Sequence, residues 1–128
     1  MQYEYFYGAQ AEQFSFYRIP KALFTEPNFR ELSTDAKVLY GILLDRMSLS
    51  LKNQWLDAQN KVYIIFTVEE IMDGLNCANQ KATRLMVELE KQAGLIERKR
   101  QGLGRPNLIY VKNFAATIND KNCEKGDS

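Results

Sequence analysis

The chain has no histidine, two cysteines, three prolines and a single tryptophan. Without histidine, the commonest side-chain general base and the commonest neutral zinc ligand are both missing. Cys77 and Cys123 are too few for a disulfide framework; one buried thiol and one tail thiol account for them as readily as a bridge. No close carboxylate or thiol cluster takes their place, so no catalytic pair, metal site or cofactor site has a candidate. An enzyme is the weaker class of reading. The apolar runs fall far short of the roughly 20 residues of a membrane span. Met1 is not followed by the basic, apolar and small-residue regions of a secretory signal. A cytoplasmic protein without a membrane partner is the expectation.

What is present is a chain of 128 residues, 45% hydrophobic and 26% charged, which suits one globular domain with a sizeable core. Its formal net charge of +1 conceals a polarity. From Cys77 to Lys112 there are eight Lys or Arg against three Glu, whereas residues 1–76 carry seven against ten acids. A domain divided in this way can offer one cationic face to an anionic backbone although its total charge is near zero.

Local signals place the elements. Tyr3, Tyr5 and Tyr7 alternate with Glu4 and Phe6 in a segment that suits a short strand, a docking arm or a frayed terminus. Pro20 and Pro27 interrupt the next stretch, where Phe24 and Phe29 are expected to pin the chain to the core. LSTDAKVLYGILLDRM reads as a helix capped by Ser33 or Thr34, with Gly41 in its middle implying close packing against another element. Trp55 is expected to cover the core from a polar connection, and KVYIIF, residues 61–66, reads as a strand. Thr67 and Glu70 make a capping-box pattern for a short helix that Gly74 ends. Asn76 is a candidate cap for the next helix, whose apolar ladder is Ala78, Ala82, Leu85, Met86 and Leu89 and whose stop is Gly94. LIERK and NLIYV then form a strand pair around a glycine-rich turn. Helix, strand, helix, helix, strand, loop, strand is the order of an α+β winged helix-turn-helix with a small antiparallel sheet and an N-terminal arm.

If Ala82, Leu85 and Leu89 face inward, Asn79, Gln80, Thr83 and Arg84 face outward or flank that face. Arg pairs bidentately with guanine, Asn or Gln with adenine, and Thr meets either a polar edge or a methyl group, so these four are the candidates for reading bases. Polar residues also cover the outside of nearly every amphipathic helix, and it is the order of elements around this one that favours a reader. Lys81, Arg98, Lys99, Arg100 and Arg105 are the candidates for the DNA backbone. Strand alternation sends Lys99 away from Arg98 and Arg100, so Arg105 and one or two of the triplet are the strongest phosphate candidates, Arg105 with a clearer claim than Lys99. QGLGRPN lacks the GK[ST] ending of a nucleotide-binding loop.

FYRIPKALF, ELSTDAKVLYGILLDRMSLS, VYIIFTVEEIMDGLNCANQKATRLMVELEKQAGLI and GLGRPNLIYVKNF together resemble the amino-terminal domain of the RepA-type plasmid replication initiators of Gram-positive bacteria. The similarity runs from about Phe16 to Phe114. It implies a homodimeric winged-helix domain, residues 16–114, that binds double-stranded repeats at a plasmid origin. It further implies a pairing arm at 1–15 and a flexible tail at 115–128 leading to a carboxy-terminal domain that engages host replication proteins. By the resemblance, the helix bearing Asn79, Gln80, Lys81, Thr83 and Arg84 reads the groove, and Arg98, Arg100 and Arg105 belong to the wing. A winged-helix transcriptional repressor and a primosome assembly module are the competing readings.

Overall fold

The computed structural model describes residues 2–8 and 13–115. Residues 115–128 were expected to form a tail; all but Ala115 lie outside the described residues, as does Cys123. Ser33 opens the central helix, α2 (Thr34–Lys52), in extended backbone conformation, and its Oγ accepts from the Ala36 N–H at 3.2 Å. Ahead of it lie a single turn, α1 (Ala22–Thr25), and a 3₁₀ turn at Pro27–Phe29. Leu39, Tyr40 and Leu43 turn one face of α2 into the core, where they meet Ile71, Ala82, Leu85 and Leu89. Burying each large apolar side chain of this set contributes about 1.5–3 kcal/mol.

Two shorter helices cross this scaffold. In α3 (Val68–Leu75), Thr67 and Glu70 form the expected capping box. The same Glu70 carboxylate pairs with Arg46 of α2, whose guanidinium lies 5.0 Å from the Phe66 ring centre. Gly74 was expected to end α3, yet the helix runs one residue further and Asn76 supplies the left-handed turn at φ 51° and ψ 53°. Asn tolerates this region because its short polar side chain bonds locally. The expected cap of the next helix is therefore the turn between the two helices. The N-cap of α4 (Asn79–Val87) is Ala78, which has no side-chain acceptor and is exposed rather than part of the buried ladder.

After Val87 the backbone continues as a π-helical turn, Glu88–Gln92, and Gly94 at φ 66° reverses the chain. β1 (Ile96–Lys99) and β2 (Leu108–Val111) then pair antiparallel, with Ile96 opposite Val111 and Lys99 opposite Leu108. The expected strand at 61–66 reduces to two isolated bridges, Leu56 with Val62 and Ile64 with Ile109. Ile64 and Ile109 exchange both backbone hydrogen bonds at 2.9 Å, but the Thr67 cap starts α3 before a longer ladder can form. The far end of β2 is tied down by the Tyr40 hydroxyl, which donates to the Lys112 carbonyl at 2.7 Å; burial pushes that phenol up to about 12.

Three aromatic expectations divide. Phe29 is buried and its ring centre lies 5.1 Å from that of Phe114. Phe24 is 53% exposed, because Leu23 takes the inward position of the one-turn α1; its ring instead lies 4.6 Å from Lys37 Nζ. Trp55 does not reach the core but stacks on Tyr63, with ring centres 6.2 Å apart, across the turn that Leu56 and Val62 close. Residues 2–8 contain no strand, and Tyr3, Tyr5, Phe6 and Tyr7 are exposed.

Gly41 meets the close approach expected of it. A Cβ there would stand 2.8 Å from Ile19 Cγ1 and 3.1 Å from the Arg18 carbonyl oxygen. Replacing Gly by Ala inside a helix ordinarily stabilises by roughly 1 kcal/mol. For Gly41→Ala we expect the opposite sign, since the Arg18 contact is backbone and cannot rotate away; a lower urea midpoint than wild type checks this.

Candidate nucleic-acid interface

Because Ala82, Leu85, Met86 and Leu89 are buried, the other side of α4 is turned to solvent. Asn79, Gln80, Thr83 and Arg84 are all exposed there, and none forms a side-chain hydrogen bond or ion pair with another described residue. The uncapped start of the helix adds unsatisfied backbone N–H groups and the positive end of the helix dipole to the same face.

The five backbone candidates fall into different environments. Lys81 Nζ lies 2.6 Å from Asp35 Oδ2, with the two side chains 41% and 51% exposed. An exposed pair of this kind is worth about 0–1 kcal/mol, so Lys81 can leave Asp35 for a phosphate at little cost. Arg98 cannot do so as cheaply. Its backbone N–H donates to Glu90 Oε2 at 3.0 Å, its Nε donates to Oε1 at 2.9 Å, and Nη2 lies 2.8 Å from Oε1. Both side chains are partly covered, so separating them would give up charge-assisted hydrogen bonds worth about 1–3 kcal/mol. Arg98 thus braces the wing against the helix. Lys99 points to the opposite face of the sheet and lines a groove with Asp57, Lys61, Glu97 and Tyr110, where charges of both signs meet. Arg100 and Arg105 are exposed and make no ion pair with a described residue.

Sequence reasoning missed the acids that arrange these cations. Glu88 is buried and accepts from both the N–H and the hydroxyl of Ser33, each at 2.9 Å. Glu90 holds Arg98 across the Gly94 reversal, a pairing that the opposite charges eight residues apart around a glycine stop could have suggested. Asp57 organises the turn beside the wing by accepting from the Gln59 and Lys61 N–H groups at 2.8 and 2.9 Å and from the Tyr110 hydroxyl at 3.0 Å. The Lys61 N–H chiefly holds the Asp57 carboxyl below its ordinary range, while partial burial, then Asp57, raises Tyr110.

Comparison with known proteins places this arrangement. The family model described as the N-terminus of replication initiator protein A (RepA) matches residues 15–124. The chain belongs to this family. A 41 kDa protein of Lactobacillus helveticus is 32% identical over 103 residues, which cover 80% of the chain and 28% of that protein. The chain therefore spans little more than a quarter of the curated relative. Among solved structures, the N-terminal domain of a DNA-binding protein is 36% identical with a TM-score of 0.72, covering 99% of this chain and 98% of the other. A Rep–DNA complex matches with the same identity and TM-score over 98% of each chain. An MDR initiator matches at 38% identity and a TM-score of 0.67, over 93% of this chain and 98% of that one. The fold is the winged helix of the RepA amino-terminal family, with α3 and α4 as the helix-turn-helix and the 100–107 loop as the wing tip. Among the described residues, no helix is long and apolar enough to cross a membrane.

The brace in this RepA-family wing has a pH signature. Burial works to raise the Glu90 carboxyl, but hydrogen bonds from the Arg98 backbone and guanidinium, together with its charge, outweigh it and hold Glu90 below the ordinary glutamate value. A depressed folded pKa contributes stability that is complete above the unfolded value and disappears as pH falls through the folded one. Glu90→Gln should therefore cost about 1–3 kcal/mol near neutral pH, with the gap from wild type closing in acid. Urea unfolding of both proteins across a pH series reads this directly.

Proposed function

We propose that the chain binds double-stranded DNA at repeated sequences of a plasmid origin and thereby serves the initiation of plasmid replication in the cytoplasm. The observation that carries the reading is the exposure of Asn79, Gln80, Thr83 and Arg84 on the first turns of α4, together with that of Arg100 and Arg105 in the wing, which have no acid partner among the described residues. The helix reads base edges in the major groove, and the wing fixes orientation through phosphates. Lys81 joins the phosphate contacts by exchanging Asp35 for DNA. Arg98 contributes as the brace described above, and Lys99, on the other sheet face, contributes least. The similarity to a Rep–DNA complex at 36% identity supports this reading, as does family membership.

In the same proposal residues 1–15 pair two copies of the chain. Tyr3, Tyr5, Phe6 and Tyr7 are 61–83% exposed, and aromatic side chains so exposed suit a partner surface. Phe6, Phe14 and Phe16 form an edge-to-face series with ring centres 6.0 and 6.1 Å apart.

Footprinting on plasmid-origin DNA tests the target: protected direct repeats are expected, whereas a single inverted site near a promoter would indicate a repressor. Fluorescence titration separates the roles. Arg105→Ala should weaken binding to every duplex and lower the salt slope by about one. Arg84→Ala should cost about 1–3 kcal/mol and relax preference at one base pair. An unchanged salt slope for Arg105→Ala would remove the wing contact.

A further inference from the structure

Lys99 has the least to do in the DNA-binding reading, and its surroundings give it another use. Alternation along β1 puts Glu97 and Lys99 on the face opposite Ile96 and Arg98. Tyr110, which faces Glu97 in the ladder, lies on the same side as these two. Together with the second half of α2 and the turn at 57–62, this side of the sheet encloses a groove of about 670 Å³. Its walls are tied to one another. The Tyr110 hydroxyl donates to Asp57 Oδ2 at 3.0 Å, and Ile64 exchanges backbone hydrogen bonds with Ile109 at 2.9 Å, so the turn and the sheet keep their spacing.

The lining is divided by chemistry. Leu44 and Met47, one turn apart on α2, join Val62 and Val111 in an apolar floor, and all four are only half-buried. Around it stand Lys61, Lys99 and Lys112, exposed and in no ion pair with a described residue. Two acids share the lining with these three lysines, but they do not balance them. Asp57 already accepts from the Gln59 N–H, the Lys61 N–H and the Tyr110 hydroxyl, so most of its capacity is spent inside the fold. Glu97 alone is left to oppose the cations. The groove therefore joins an apolar floor to a surplus of positive charge.

We propose that this groove is a docking site for an acidic peptide segment of another protein: one aliphatic or aromatic side chain of the segment enters the floor, and carboxylates on either side of it pair with Lys61, Lys99 and Lys112. Charge complementarity selects an acidic partner over a basic one. The floor selects a peptide over a duplex, because a peptide carries an apolar side chain between its charges whereas a row of phosphates would leave Leu44, Met47, Val62 and Val111 uncovered and would meet Glu97. A pocket of this size, apolar with a few charged groups at its rim, suits a short segment. The site stands apart from the DNA-binding reading and does not depend on it.

The test immobilises the full chain and selects binders from a random peptide library. Recovered peptides should carry Asp or Glu on both sides of an aliphatic or aromatic residue. One of them, labelled with fluorescein, is then titrated with wild type and variants. Lys61→Ala, Lys99→Ala and Lys112→Ala combined should weaken binding roughly tenfold and flatten its salt dependence. Glu97→Gln should strengthen it roughly threefold, since a like charge is removed; a gain of this kind does not arise from damage to the fold. Glycine in place of the peptide's apolar residue should weaken binding on the order of tenfold. Peptides without acids, or an affinity that neither the lysine nor the Glu97 substitutions move, overturn the proposal. Self-association of the wild-type chain that the lysine variant abolishes would assign the groove to a second copy, and duplex DNA that loses affinity for Lys99→Ala and Lys112→Ala while displacing the peptide would assign it to the DNA face; either result overturns it as well.

Discussion

The two hydrogen bonds between Glu88 and Ser33 set the frame on which the remaining geometry depends. In an ordinary capping box, a glutamate three residues into a helix returns to the N-cap backbone N–H. In α2 that position is Ala36, and Glu88 supplies the carboxylate from another element, 55 residues away. One carboxylate thereby caps α2 and fixes the end of α4 against its start. Two residues further on, on the other side of the same π-helical turn, Glu90 fixes β1. The turn is a junction at which scaffold, α4 and wing acquire their mutual positions, consistent with the tendency of π-helical turns to mark functional places.

This junction also alters the charge of the surface. Of the three acids between Cys77 and Lys112, Glu88 is buried and Glu90 is mostly covered, whereas Arg84, Arg100 and Arg105 remain in solvent. The outward field is consequently more positive than the residue count suggests. Glu90 also accepts from the Arg98 N–H at the outer edge of β1, occupying a donor that an exposed edge strand would otherwise present to another chain.

The order of the helices and of the wing strands, the Ser33 cap, the Thr67 and Glu70 box, the inward face of α4 and the close approach at Gly41 were legible in the sequence because each depends on neighbours a few residues away or on one residue's special geometry. The Gly41 contact partner, Arg18 and Ile19, was not legible, nor was the Glu88 connection, since both join segments far apart in the chain. Residues 61–66 have the composition of a strand, but a strand needs a partner of matching length, and only Ile109 answers Ile64. Arg98, Lys99 and Arg100 look alike as a triplet; alternation and the placement of one glutamate divide them among a brace, a mixed-charge groove and open solvent.

The crossing at Gly41 has a bearing on inheritance as well as on packing. Helix propensity favours almost any other residue at that position, while a Cβ there would force the Ile19 side chain and the Arg18 carbonyl to give way. Selection for a stronger α2 and selection for the path of the incoming chain therefore pull in opposite directions at a single codon. A bulkier residue at this position is expected to push the Arg18–Ile19 segment away from α2, so the path of the leading segment is tied to the size of one side chain.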